Sequence, residues 1–165
     1  MKTLFIALRA LLYAAGFVLL WVWLAGRVQR YDGHLGFPLP GWLIPVGWVL
    51  AVAGAAAVAS CLAGFVMRGR GTAAPFDPPR AFVSSGLYRY VRNPMYLGAA
   101  LVLAGYALIA RSPSILMLAL ALLTAAHLFV ALVEERSLER RFGQSYRAYC
   151  AATRRWIPRR PKKTP

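Results

Sequence analysis

Residues 94–135 read PMYLGAALVLAGYALIARSPSILMLALALLTAAHLFVALVEE, and this run decides the fold. Two apolar stretches, 94–110 and 113–133, are separated by Arg111-Ser112 alone. Each opens on a proline preceded by a small polar residue, Asn93 before Pro94 and Ser112 before Pro113. Such a residue can cap the free amides of a first helical turn, and proline at the first helical position loses no needed donor. The pattern therefore predicts a tight helical hairpin. At 1.5 Å per residue, its arms measure roughly 25 Å (94–110) and 33 Å (113–134). They return Glu134 and Glu135 to within about a turn or two of the level of Asn93.

Working outward, two further apolar stretches precede the hairpin, 4–26 and 41–67. About twenty residues of helix cross a hydrocarbon layer near 30 Å thick, and lipid tolerates no unpaired backbone. The composition agrees: 59% of residues are hydrophobic, only 15% are charged, and the mean hydropathy is +0.53. The expected fold is all-α, a polytopic membrane protein with about four transmembrane helices and a C-terminal interfacial helix. We read 1–165 as a single membrane domain. It divides into an N-terminal helix pair (1–68), a cytoplasmic loop (69–85), the hairpin with its interfacial helix (86–158) and a basic tail (159–165). Gly71, Pro75, Pro78 and Pro79 keep the loop irregular. In the second helix Gly47, Ala51, Ala55 and Ala59 form a small-residue stripe suited to close helix packing. The first stretch is longer than a signal-peptide core and lacks a cleavage site, so it is expected to stay as a span.

A net charge of +15 raises the question of nucleic acid, but the placement of the charges argues against it. The basic residues flank the apolar runs instead of lining one surface. Arg68, Arg70, Arg80, Arg89, Arg92 and the chain after Arg136 are opposed by only Arg27, Arg30 and Arg111 in the other two connections. By the positive-inside rule both termini and the 68–92 connection face the cytoplasm, in a bacterial inner membrane on our reading. Arg9 is expected to snorkel, and Lys162 and Lys163 to meet solvent or anionic lipid. Cys61 and Cys150 form no disulfide framework and read as reduced.

The chemistry collects where the hairpin ends meet. Arg89 and Arg92 stand just before a helix start, a setting that suits an anionic group such as an amino-acid carboxylate. Tyr88, Tyr90 and Tyr96 add flat faces that could hold an adenine. Only five carboxylates occur in the chain, and Glu134, Glu135 and Glu139 cluster here. Glu139 is expected to pair with a nearby arginine. For Glu134 and Glu135, interfacial solubility and the binding of a cation are both open. Glu135, Leu138, Phe142, Tyr146 and Tyr149 recur in steps of three and four, one face of a surface helix that packs over the hairpin mouth and could lid it. His127, seven residues before Glu134, is a functional suspect inside the membrane. The alternative is a neutral histidine bonded to a neighbouring helix.

Gly86–Gly98, Glu134-Glu135-Arg136-Ser137-Leu138 and Phe142-Gly143-Gln144-Ser145-Tyr146-Arg147-Ala148-Tyr149 together resemble the isoprenylcysteine carboxyl methyltransferase family. More loosely, they are similar to phospholipid N-methyltransferases. The likeness implies a membrane methyltransferase with S-adenosylmethionine held between an Arg-His-Pro-x-Tyr-x-Gly segment and a Glu-Glu pair. Here those positions are Arg92, Asn93, Pro94, Tyr96, Leu97, Gly98, Glu134 and Glu135, with Tyr88 and Arg89 beside them. Asn93 stands where the family usually has histidine, and an asparagine cannot titrate near neutral pH. The resemblance implies that Arg89 or Arg92 holds the cofactor carboxylate and that Glu134 or Glu135 balances its ammonium or binds its ribose. Arg140, Arg141 and His127 are the candidates on the acceptor side. Methyl transfer from a sulfonium is an in-line displacement that needs alignment and exclusion of water, and no metal. The acceptor is expected to be lipophilic and to arrive from the bilayer. Two rivals are a sterol-reductase-like enzyme using NADPH, whose phosphates call for basic partners in place of carboxylates, and a membrane scaffold that binds neither ligand.

Overall fold

The computed structural model describes residues 2–69 and 82–159, and these are helical with no strand among them. Seven α-helices follow in order: α1 (Lys2–Gln29), α2 (Asp32–Leu35), α3 (Ile44–Gly64), α4 (Pro94–Ile109), α5 (Pro113–Phe129), α6 (Glu135–Phe142) and α7 (Gln144–Ala152). The expected irregular loop, with Arg70, Gly71, Pro75, Pro78, Pro79 and Arg80, lies outside the described residues, as do Lys162 and Lys163.

Stretches Leu4–Leu35, Gly41–Arg68 and Pro113–Phe142 are long and apolar enough to cross a bilayer, and Pro94–Ile109 is a shorter apolar helix. Large apolar side chains point away from the protein along them, with Leu12 68% and Val49 67% exposed. In water such a surface would aggregate, whereas lipid covers it at no cost. The chain is a polytopic membrane protein.

α4 lies between α3 and α5, and α1 rests on α5. α4 reaches so close to α3 because four glycines face each other in two pairs. A Cβ on Gly54 would sit 2.5 Å from the Gly98 carbonyl oxygen, and one on Gly105 would sit 2.5 Å from the Gly47 carbonyl oxygen. The pairs Gly47/Gly105 and Gly54/Gly98 run in opposite chain directions, so the helices are antiparallel with backbone against backbone. The expected stripe in steps of four is corrected here. Gly47 and Ala51 meet α4, but Ala55 and Ala59 are exposed, and Gly54 takes the next contact. With about 3.6 residues per turn, steps of four drift around the helix, while a step of seven returns to nearly the same face.

At one end of the bundle, α4 passes into α5 through Arg111, which has a positive φ of 54°. Ser112 caps α5 as expected, its Oγ accepting from the Ile115 amide at 3.2 Å. Asp32 of α2 adds a second cap, accepting from the Ser114 amide at 2.9 Å. Leu39 and Arg111 bond each other's main chain, and the Arg111 Nε donates to the Leu39 carbonyl at 2.9 Å. A buried core of Ala25, Leu103, Ala107, Ile115 and Ala119 lies beneath.

At the other end α5 does not stop. A π turn (Val130–Glu134) carries it into α6, giving one continuous helix from Pro113 to Phe142. Gly143, with φ 53° and ψ −125°, then breaks the chain sharply, a conformation glycine adopts without a Cβ penalty. The expected surface helix is thus two pieces, α6 prolonging a span and α7 turned aside from it. Its aromatic residues still converge, because Phe82 lies 5.3, 5.7 and 5.1 Å from the rings of Phe142, Tyr146 and Tyr149.

Candidate functional site

The site is built from three chain segments. The first runs through a 3-10 turn (Gly86–Arg89) into the start of α4 at Pro94. The second is the junction of the π turn with α6, which carries Glu134 and Glu135. The third is the stretch after α7, residues 153–159, which returns across the first. There the Arg92 amide donates to the Arg154 carbonyl at 2.9 Å, and the Arg159 amide donates to the Tyr90 carbonyl at 2.8 Å.

Asn93 departs from its expected role as a side-chain cap. It precedes α4 with φ −124° and ψ 54°, and its side chain makes no capping bond. The Nδ2 instead donates to the Arg155 carbonyl at 3.1 Å, in a position only 7% exposed. Its carbonyl accepts from the Leu97 amide at 3.3 Å, so the helix still begins where the sequence predicts. The buried Asn93 amide needs an acceptor, which the Arg155 carbonyl supplies, whereas α4 can begin on Pro94 without a side-chain cap.

The two glutamates have different partners. Glu135 accepts from Arg155 through both oxygens, Nε at 2.9 Å and Nη2 at 2.7 Å, and forms an ion pair with the Arg92 Nη1 at 3.0 Å. Arg92 and Glu135 are well shielded, at 16% and 18% side-chain exposure, and Arg155 is at 33%. The hydrogen bond to Glu135 raises the Arg155 pKa above its ordinary range, so the guanidinium is charged throughout. Glu134 meets a neutral group: Tyr96 Oη donates to its Oε2 at 2.9 Å. Among the described residues no cation pairs with it within 4 Å.

Arg92 also donates Nη1 to the Cys150 Sγ at 2.9 Å, while its Nε is buried without a partner among the described residues. A buried guanidinium donor of this kind calls for an acceptor. Tyr149 Oη donates to the Tyr88 carbonyl at 2.7 Å, and Tyr88 stacks at 5.5 Å from Phe65. Burial, followed by the nearby Cys61, pushes the Tyr88 phenol well up, and burial does the same for Tyr149. Both stay protonated and serve as neutral donors and flat walls.

Arg92, Asn93, Pro94, Tyr96, Glu134 and Glu135 are therefore brought together, with Tyr88 along one side. Other expected residues fall elsewhere. Gly98 is buried against α3, where a Cβ would lie 2.9 Å from the Gly54 carbonyl oxygen, so its missing side chain serves helix packing. Leu97 is half-buried one step before it on α4. Arg89 and Arg140 are exposed, and Arg141 places its guanidinium over the Phe142 ring at 5.3 Å. His127 is exposed, and its Nδ1 accepts from Trp156 Nε1 at 2.9 Å. Glu139 takes an arginine as expected, but that is Arg147 beyond the Gly143 break, at 2.7 Å.

Sequence reasoning missed Arg155, Cys150 and Trp156. The doublet Arg154-Arg155 before Trp156 and Ile157 was the available signal, since an aromatic and aliphatic pair after a basic doublet suits a docked segment better than a solvated one.

A family model described as phospholipid methyltransferase matches residues 43–145, from the start of α3 into α7. No curated protein and no solved structure matches the chain.

Proposed function

The chain belongs to the phospholipid methyltransferase family and is a membrane methyltransferase; from that premise we propose that S-adenosylmethionine is its methyl donor and that the site at the α4 start holds it. The acceptor on this reading is lipophilic, as in the isoprenylcysteine carboxyl methyltransferases that the sequence resembles. Bound there, S-adenosylmethionine supplies a methyl group activated by a sulfonium.

The observation that carries the reading is the half-buried Glu134 carboxylate, bonded to a phenol and facing no protein cation within the described residues. A buried carboxylate without a cation is costly, and a sulfonium- or ammonium-bearing ligand removes that cost. Arg92 fits the other end of the same ligand, since its buried Nε lacks an acceptor that a carboxylate would supply. We therefore assign Glu134 to the cationic part of the donor and Arg92 to its carboxylate. Glu135, already matched by Arg92 and Arg155, organises them. Tyr96 orients Glu134, and Tyr88 provides a wall beside them. Pro94 and Asn93 set the position of the α4 start, and Leu97 lies one turn further in. Arg140, Arg141 and exposed Arg89 remain for an anionic part of the acceptor or its surrounding lipid. The Glu134 pairing favours this donor over NADPH, whose phosphates it would repel.

Arg68, Arg92, Arg136 and Arg155 share the site's end of the bundle, against Arg27, Arg30 and Arg111 at the other. This supports a cytoplasmic site with both termini on that side, in a bacterial inner membrane. The test is calorimetry of the detergent-purified protein with S-adenosylhomocysteine. Binding to the wild type and a loss of about tenfold or more in Glu134→Gln are expected. Equal affinity in the two proteins, or thermal stabilisation by NADPH and not by S-adenosylhomocysteine, would refute the assignment.

A further inference from the structure

Residues 153–159 lie beyond the part of the chain that the family model matches, yet they close over the site. Three bonds fasten this strap to the segment before α4: Arg92 amide to Arg154 carbonyl, Asn93 Nδ2 to Arg155 carbonyl, and Arg159 amide to Tyr90 carbonyl. A fourth, Trp156 Nε1 to His127 Nδ1, fixes it to α5. The strap thereby delivers Arg155 to Glu135, which its fork grips through both carboxylate oxygens.

We infer that Arg155 is a positioning residue of the methyl-donor site, an inference that rests on the site reading given above. Glu135 alone on its helix turn could swing. The planar guanidinium fork fixes both the place and the plane of the carboxylate, which a point charge cannot do. Glu135 so fixed holds the Arg92 Nη1 at 3.0 Å, and Cys150 touches the same nitrogen at 2.9 Å. With Nη1 held from two sides, the buried Arg92 Nε keeps no partner among the described residues and is the donor left for a ligand's acceptor. Arg155 also balances charge. Arg92 and Arg155 match Glu134 and Glu135 in number, while Glu134 has no ion-pair partner among the described residues. The His127–Trp156 bond gives His127 a role as an anchor of the strap.

The test compares wild type, Arg155→Ala, Arg155→Lys and Trp156→Phe by calorimetry with S-adenosylhomocysteine, alongside their thermal midpoints. Arg155→Ala is expected to weaken binding by about tenfold, and Arg155→Lys to recover only part of it, because charge returns without the fork. Millimolar guanidinium, but not ammonium, is expected to restore affinity to Arg155→Ala, since it can rebuild the two-pronged contact. Trp156→Phe removes one of the strap's four bonds and keeps the other three and the Arg155 fork, so its affinity is expected within about twofold of wild type. An unchanged affinity in Arg155→Ala overturns the inference alone. So does an equal loss in Trp156→Phe, or a loss that guanidinium and ammonium repair equally, since the strap would then act only as structure. A wild type that does not bind S-adenosylhomocysteine overturns the site reading and this inference with it.

Discussion

The two ends of the helix bundle use polar residues in opposite ways. At the α4–α5 turn polar side chains serve the main chain: Asp32 caps Ser114, Arg111 bonds the Leu39 carbonyl, and Ser112 caps Ile115. An open hollow of about 440 Å³ lies there, lined by Asp32, Gly33, Gly36, Phe37, Pro38, Ala110 and Arg111, but its charges are committed to holding the turn. At the opposite end side chains hold side chains. Among the described residues Glu135 is shared by two arginines, Arg92 keeps a buried donor free, and Glu134 lacks a cation. A self-satisfied end is a hinge pin for the hairpin. An end with an unpaired carboxylate and a spare guanidinium donor among the described residues has the electrostatics of a site for a zwitterionic ligand.

Several substitutions break or sharpen this contrast. The largest effect is expected from Gly54→Leu, whose side chain would drive into the Gly98 main chain and separate α3 from α4. It should damage both ends alike, seen as loss of monodisperse protein on size exclusion. If that variant stays folded and binds S-adenosylhomocysteine normally, the glycine contact does not position the site. Next comes Tyr96→Phe, which removes the phenol's hydrogen bond to Glu134 and keeps the ring. A net hydrogen bond contributes about 0.5–1.5 kcal/mol, so affinity for S-adenosylhomocysteine should fall by roughly two- to tenfold with little change in thermal midpoint. The smallest effect on the ligand is expected from Ser112→Ala at the far end. It should cost about 1 kcal/mol of stability as a lost cap, and leave calorimetric affinity unaltered. A matching fall in affinity would show that the ends are coupled.

The hairpin and its acidic tip were legible because their determinants are local. Asn93-Pro94 and Ser112-Pro113 start α4 and α5 at the expected residues, and helical rise alone brings Glu135 to Arg92. What escaped is non-local. Nothing near Arg155 in sequence indicates a carboxylate twenty residues earlier, and nothing near Asn93 indicates a carbonyl 62 residues later. The π turn at Val130–Glu134 leaves no mark in the apolar pattern, yet it alters which way the residues after it face. So His127 and Glu134, seven residues apart, bond to different elements, Trp156 and Tyr96. The seven-residue glycine step was present on α3, but its meaning depended on a matching step on α4.

The paired glycines also govern traffic in the plane of the bilayer. With the main chains of α3 and α4 in contact at two levels, seven residues or about 10 Å apart along the axis, no acyl tail can slip through that wall. A hydrocarbon-bearing acceptor must come in by another flank, so the doorway for the substrate should be sought on the sides of the bundle that those glycines do not seal.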